Sequence, residues 1–316
     1  MKTYRIFTLA AAVGVTLVLF GCGKKAGDGS AASTVPAVEL TKLIDEAAPA
    51  DTTGAGISLL NLENPIDFCY SSIDTDMIFK WKEGTWIDAM DTAIPLNQER
   101  FDAMAQGFLK LSALTKEEAP QELDSYGLDK PAFTVYITDS QKGETNIYIG
   151  DKDASGNYYI TLDDGIIYTI PGSLGDSLIF DYNSLVIRDS LDLNVTAADL
   201  VSAVITAEGE TVRYKSSDTE AMTRIASGIS RLKPQEFASY HIQSQELVSA
   251  ELTEDTRKTL QAELKVNGET RLLTVYVGGY ANFEGTLCYV QLDGSKMIGV
   301  VEYELVSDLL NLQEAE

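Results

Sequence analysis

From residue 57 to 88 the chain alternates short apolar runs with polar breaks: ISLLNL, IDFCYSSI, MIFKW and TWIDA. Runs of that length, rich in Ile, Phe, Tyr and Trp, predict strands. Phe79 to Trp86 predict a hairpin, with Gly84 supplying the turn conformation. After Pro95 the period changes. Phe101, Met104, Phe108, Leu111 and Leu114 recur at three and four residues, which predicts a helix with one buried stripe and Asn97 as its N-cap. Strands are predicted again at 132–138, 144–149, 157–162 and 166–170, with turns at 141–143, 151–156 and 163–165, and a short helix over 172–180.

The second half repeats this order. Strands are predicted at about 201–206 and 210–215, then a helix carrying Met222, Ile225, Ile229 and Leu232 on one face. Strands follow at 260–266, 271–277, 286–292 and 297–301, and a last helix near 302–312. The residues repeat as well as the order. ETNIYIG aligns with RLLTVYVGG, placing Gly150 against Gly278, and YYITLDDGIIYTI aligns with CYVQLDGSKMIGV, placing Tyr159 against Tyr289, Leu162 against Leu292 and Gly165 against Gly294. Self-similarity at a fixed spacing marks a repeated unit. The expectation is an α+β protein of two related modules, 57–190 and 197–316, each an antiparallel sheet packed with a helix. Residues 185–196 would connect them.

Ahead of the modules the pattern is of another kind. Lys2 and Arg5 precede an apolar run from Ile6 to Phe20, and Leu19-Phe20-Gly21-Cys22 follows. A positive region, an apolar core and a small residue describe a secretory signal peptide, here residues 1–21. The run is about 15 residues, short of the roughly 20 that a spanning helix needs. The four residues ending at Cys22 resemble the lipobox of bacterial lipoproteins, with Phe20 bulkier than the usual residue at its position. That resemblance implies diacylglycerol on the Cys22 thiol and cleavage before it. Residues 22–56 open with a Gly/Ser/Ala/Thr stretch that reads as a flexible tether, with a short helix over VELTKLIDEA at 38–47.

Charge narrows the function. With 24 Lys+Arg against 48 Asp+Glu in 316 residues the net charge is −24, which excludes nucleic acid as a partner. It also disfavours adhesion to anionic head groups, leaving anchoring to the lipid. Beyond Cys22 there are Cys69 and Cys288. Both lie in strand-like apolar runs and are expected as buried free thiols rather than a disulfide. Asp151 to Asn157 place oxygens at positions one, three and five with Gly156 at six, like the start of a Ca²⁺ loop. The twelfth position is Leu162, which has no oxygen, so a polar hairpin loop is expected and no metal. His241 is the one histidine, too few for a zinc site. Asp163-Asp164 and Glu117-Glu118 fit turns and helix ends. Trp81, Trp86, Tyr158 and Tyr159 are expected to pack in the core. No catalytic residue and no cofactor is assigned.

Tyr126, Gly127 and Leu128 followed by Pro131, then Ile149-Gly150-Asp151-Lys152 and a strand bearing Tyr159, resemble a family of bacterial proteins known as domain of unknown function 4340. The resemblance spans about 75–190. It implies a structural role for these residues, with Gly150-Asp151-Lys152 a turn. Members are often lipoproteins or membrane-anchored, and some are associated with ABC-type transport systems. The expected function is a non-enzymatic binding or accessory subunit of a membrane assembly at the extracytoplasmic face, with an ABC-type transporter or another envelope protein as partner. The alternative is a cell-envelope hydrolase using a carboxylate pair.

Overall fold

The computed structural model describes residues 35–48, 50–51 and 56–310. Two short strands, β1 (Thr41–Leu43) and β2 (Ile57–Ser58), come first. Then follow β3 (Pro65–Ser71), β4 (Asp76–Lys82), β5 (Thr85–Asp88), helix α1 (Gln98–Leu109), β6 (Ser112–Ala113) and β7 (Thr115–Lys116). A 3-10 turn at Leu123–Tyr126 leads to β8 (Phe133–Asp139), β9 (Gly143–Lys152), β10 (Tyr158–Thr161) and β11 (Ile167–Ile170). Short helices α2 (Gly172–Gly175) and α3 (Tyr182–Leu185) and strand β12 (Arg188–Ser190) lead onward. The second set is β13 (Leu200–Ala207), β14 (Glu210–Lys215), α4 (Thr219–Arg231), β15 (Glu236–Ser239), α5 (Ser244–Ser249), β16 (Lys258–Val266), β17 (Glu269–Tyr280), β18 (Leu287–Leu292), β19 (Ile298–Glu302) and α6 (Tyr303–Leu310).

The protein is α+β, built on an eight-stranded and a seven-stranded sheet. Their orders are β5-β4-β3-β8-β9-β10-β11-β7 and β14-β13-β16-β17-β18-β19-β15. Without the extra edge strand β5 the two orders match strand for strand. Each sheet buries one face under a helix. In the first, Phe101, Met104, Ala105, Phe108 and Leu109 of α1 meet Phe68, Phe79 and Trp86. In the second, Met222, Ile225, Ala226 and Ile229 of α4 meet Ile205, Leu260 and Val275. Asn97 caps α1, its side chain accepting from the Arg100 N–H. The helix stops at Leu109, so Leu111 is buried after its end rather than on its stripe. Between β4 and β5, Glu83 and Gly84 both have positive φ, 52° and 87°. That is the two-residue turn whose twist suits a hairpin.

One segment differs from the sequence reading. Residues 38–47 are not helical: Thr41–Leu43 pairs antiparallel with Arg188–Ser190. Val38 is buried in the second core, and its N–H donates to the Leu272 carbonyl at 2.9 Å. Tertiary pairing overrides the helix propensity of this stretch, and the described part of the tether is docked on the body. The 185–196 connection likewise runs through a buried seam. Arg188 pairs with Asp45 at 2.8 Å, Lys42 pairs with Asp189, and the Ser295 hydroxyl donates to Asp189 at 2.7 Å. Asp139 fixes the hairpin between β8 and β9. Burial alone would raise its carboxyl, yet donation from the Gln141, Asn64 and Lys142 amides holds it below the ordinary range.

Candidate functional site

Gly150 and Gly278 sit at one structural feature in the two sheets. The β9–β10 register shifts between Tyr158 and Ile160, and the β17–β18 register shifts between Val277 and Tyr280. Each glycine therefore lies in a strand bulge, not in the turn that the sequence reading gave to Gly150-Asp151-Lys152. The bulge presses on a preceding loop. A Cβ on Gly150 would stand 2.2 Å from the Tyr126 carbonyl oxygen, and one on Gly278 would stand 1.9 Å from the Ala250 oxygen. Gly127, in the left-handed region at φ 67°, continues the first loop, and Glu251 at φ 55° continues the second. Leu128 and Leu252 follow, both buried, with N–H groups donating to Leu123 and Leu247 carbonyls at 2.9 and 2.8 Å. Ala250-Glu251-Leu252 is thus the second module's equivalent of Tyr126-Gly127-Leu128.

These loops build a small cluster on each sheet, outside the main core. Tyr126, Leu128 and Ile167 with Tyr148 and Tyr159 form the first; Ala250, Leu252 and Ile298 with Tyr276 and Tyr289 form the second. Tyr126 and Tyr159 meet edge-on at 4.8 Å. Pro131 stands half-buried two residues before β8. One detail is exchanged between the modules. The Asp151 carboxylate carbon lies 2.6 Å from where a Gly127 Cβ would be, and the Glu251 carboxylate carbon lies 2.9 Å from where a Gly279 Cβ would be. Acid and glycine have changed places across the same contact.

Next to the second bulge is a cavity of ≈ 280 Å³, lined among others by Glu208, Glu251, Lys258, Tyr280, Cys288 and Tyr303. The Tyr280 and Tyr303 rings are 5.1 Å apart at its edge. Burial pushes the Cys288 thiol up to about 11, so it stays protonated and unreactive at neutral pH. Lys258 enters no ion pair among the described residues.

Strand register shows what the first module has in the same places. Tyr158 pairs with Lys152 and Ile170, as Cys288 pairs with Tyr280 and Val301. Phe133 pairs with Ile149, as Lys258 pairs with Val277. In the first module the chain seals this end itself. Phe180 stacks on Phe133 at 5.4 Å and meets Tyr70 at 5.3 Å, and the Tyr70 hydroxyl donates to the Ile179 carbonyl at 2.6 Å. The Tyr158 hydroxyl donates to Asp176 at 2.8 Å, and the Lys152 ammonium bridges to Asp176 and lies 4.7 Å over the Tyr158 ring. In the second module the chain enters the eight-residue helix α6 instead, which turns back onto α4. No described segment covers Lys258 as Phe180 covers Phe133.

The other sequence candidates lie apart. Cys22 is outside the described residues. Asp153 is consumed by its own loop, its carboxylate accepting from the Ser155 and Asn157 amides and the Asn157 side chain. Leu162 packs against the first core. His241 Nδ1 contacts Asp91 at 2.8 Å across the seam between the sheets. Cys69 and Cys288 are free thiols. Trp86 is buried, its indole donating to Asp102 at 3.0 Å, while Trp81 stands partly exposed beside it. Asp163 accepts from the side chain of Asn146 on β9, and Asp164 accepts from the Ile166 amide within its own turn. Among the described residues no group of three His, Cys, Asp or Glu could hold a metal ion. Sequence reasoning missed Lys258, Tyr280 and Tyr303, because only the fold brings them to one cavity.

Residues 86–222 match the family model described as Domain of unknown function (DUF4340). The resemblance carried by Tyr126, Gly127, Leu128, Pro131 and Gly150 therefore holds. No curated protein and no solved structure matches the chain.

Proposed function

We propose that this chain, which carries a DUF4340 region, is a lipoprotein held at the extracytoplasmic face by lipid on Cys22. In this reading its modules act as a non-enzymatic binding or accessory subunit of a membrane assembly, with an ABC-type transporter as the candidate partner. The observation that carries the reading is the contrast between two ends of like topology. The first is sealed by Phe180 and by Asp176 with Lys152; the second keeps an open cavity. A fold that closes one copy and leaves the other open has room for a partner group in the open one. Anchoring is the work of the lipid, and among the described residues no helix is long and apolar enough to cross a membrane.

A hydrolase remains the second reading, because Glu208 and Glu251 line the same cavity. Hydrolysis by a carboxylate pair needs one acid held protonated. The binding role is preferred, because the same cavity is walled by the paired rings of Tyr280 and Tyr303, a surface that suits a partner group.

Cys22→Ser is expected to abolish labelling by a radiolabelled fatty acid and to leave the precursor uncut. The wild-type lipoprotein, purified from detergent-solubilised membranes, is expected to bring integral membrane proteins with it. Unchanged labelling would end the lipoprotein reading, and recovery of the lipoprotein alone would end the accessory one.

A further inference from the structure

We infer that the cavity of the second module receives an aromatic side chain presented by a polypeptide segment of a partner, taking the place that Phe180 holds in the first. This deepens the binding reading above and rests on it. Phe180 arrives on the segment 176–181, which turns out of α2 at 176–177, and lies on Phe133 and Tyr70. The registers put Lys258 at the Phe133 position and Ile205 at the Tyr70 position, since Tyr70 pairs with Val135 and Ile205 pairs with Leu260. Ile205 is buried in the second core, so at the cavity the floor for a ring is the cation Lys258 with the apolar side chains of Val277 and Val306 beside it.

An ammonium without an ion pair is a suitable face for a ring, because the ring's quadrupole attracts it. The protein uses this contact twice elsewhere: Lys152 lies over Tyr158 at 4.7 Å and Arg257 over Tyr276 at 3.9 Å. The cavity wall adds the paired rings of Tyr280 and Tyr303, which offer edge and face contacts to a third. Glu208 and Glu251 stand at the same cavity as acceptors for the backbone N–H groups of the incoming segment. At ≈ 280 Å³ the space suits one large side chain rather than an extended small molecule.

The probe is a fluorescein-labelled peptide of the chain's own sealing segment, Asp-Ser-Leu-Ile-Phe-Asp, with a second peptide carrying Ala in place of Phe. Fluorescence anisotropy against the full-length lipoprotein in detergent is expected to show the first binding about tenfold more tightly than the second, from the loss of one buried ring. Cys288→Tyr puts the first module's residue into the cavity and is expected to abolish binding. Lys258→Ala keeps the space and is expected to weaken binding about fivefold. Circular dichroism checks that each variant folds; should Cys288→Tyr fail to, Lys258→Ala still decides. Equal binding of the two peptides, no binding of either, or undiminished affinity in a folded variant would overturn the inference. Co-purification of membrane partners without peptide binding would remove this inference and leave the accessory role in place.

Discussion

Gly278→Val is expected to lower stability by about 3 kcal/mol, as is Gly150→Val, because each forces a side chain into space already held by backbone. The obstacle is the Ala250 carbonyl oxygen at 1.9 Å in one case and the Tyr126 oxygen at 2.2 Å in the other. A flexible side chain could swing aside, but these carbonyls cannot. The Ala250 oxygen also accepts the Gly279 N–H at 3.0 Å, so pushing the loop away breaks a hydrogen bond as well. Gly56→Ala is the control: no atom lies within 4 Å of the added carbon. Its midpoint in chemical denaturation should stay near that of the wild type. If either valine were as well tolerated as the control, loop and bulge would not touch.

Phe101→Ala is expected to cost about 3–5 kcal/mol, the usual penalty for emptying a buried aromatic site. Phe101 has no exposed surface and is the hub of the first core. Its ring stands 4.5 Å from Phe79, 5.1 Å from Trp86 and 5.8 Å from Phe68. These neighbours come from three strands that cannot close over the gap without breaking register. Trp86 fluorescence would follow the unfolding. A loss no larger than that of a surface substitution would contradict this packing.

Most of the architecture was legible because two periods dominate the sequence. The α1 stripe and the strands of each half each have one buried face, and such faces leave a clear pattern. Gly150 and Gly278 were visible because they end matching strand sequences. Their reason was not, since the carbonyl that excludes a Cβ lies on a distant loop. The match of the loops was missed although it is written in the chain. Gln121-Glu122-Leu123-Asp124-Ser125-Tyr126-Gly127-Leu128 shares its Gln, Glu, both Leu and Ser with Gln245-Glu246-Leu247-Val248-Ser249-Ala250-Glu251-Leu252. The Tyr and Gly of the first loop do not reveal it, because both are among the three positions that changed, with Asp124 against Val248. Residues 38–47 misled for a different reason. Their helix propensity is real, but β12 offers a strand partner that lies far along the chain. The cavity was out of reach of any pattern: Glu208, Lys258, Cys288 and Tyr303 come from a turn, two strands and a helix start.

The central claim is that the open end of the second module is where this protein meets its partner, and photo-crosslinking in native membranes tests it most directly. A benzoylphenylalanine at Phe283, fully exposed in the loop after Tyr280, would probe that end. The same group at Ile73, equally exposed at the β3–β4 turn, would probe the sealed first module. The account predicts a discrete adduct with a membrane protein from position 283 and none from position 73. An adduct from position 73 alone, or from neither, would contradict it.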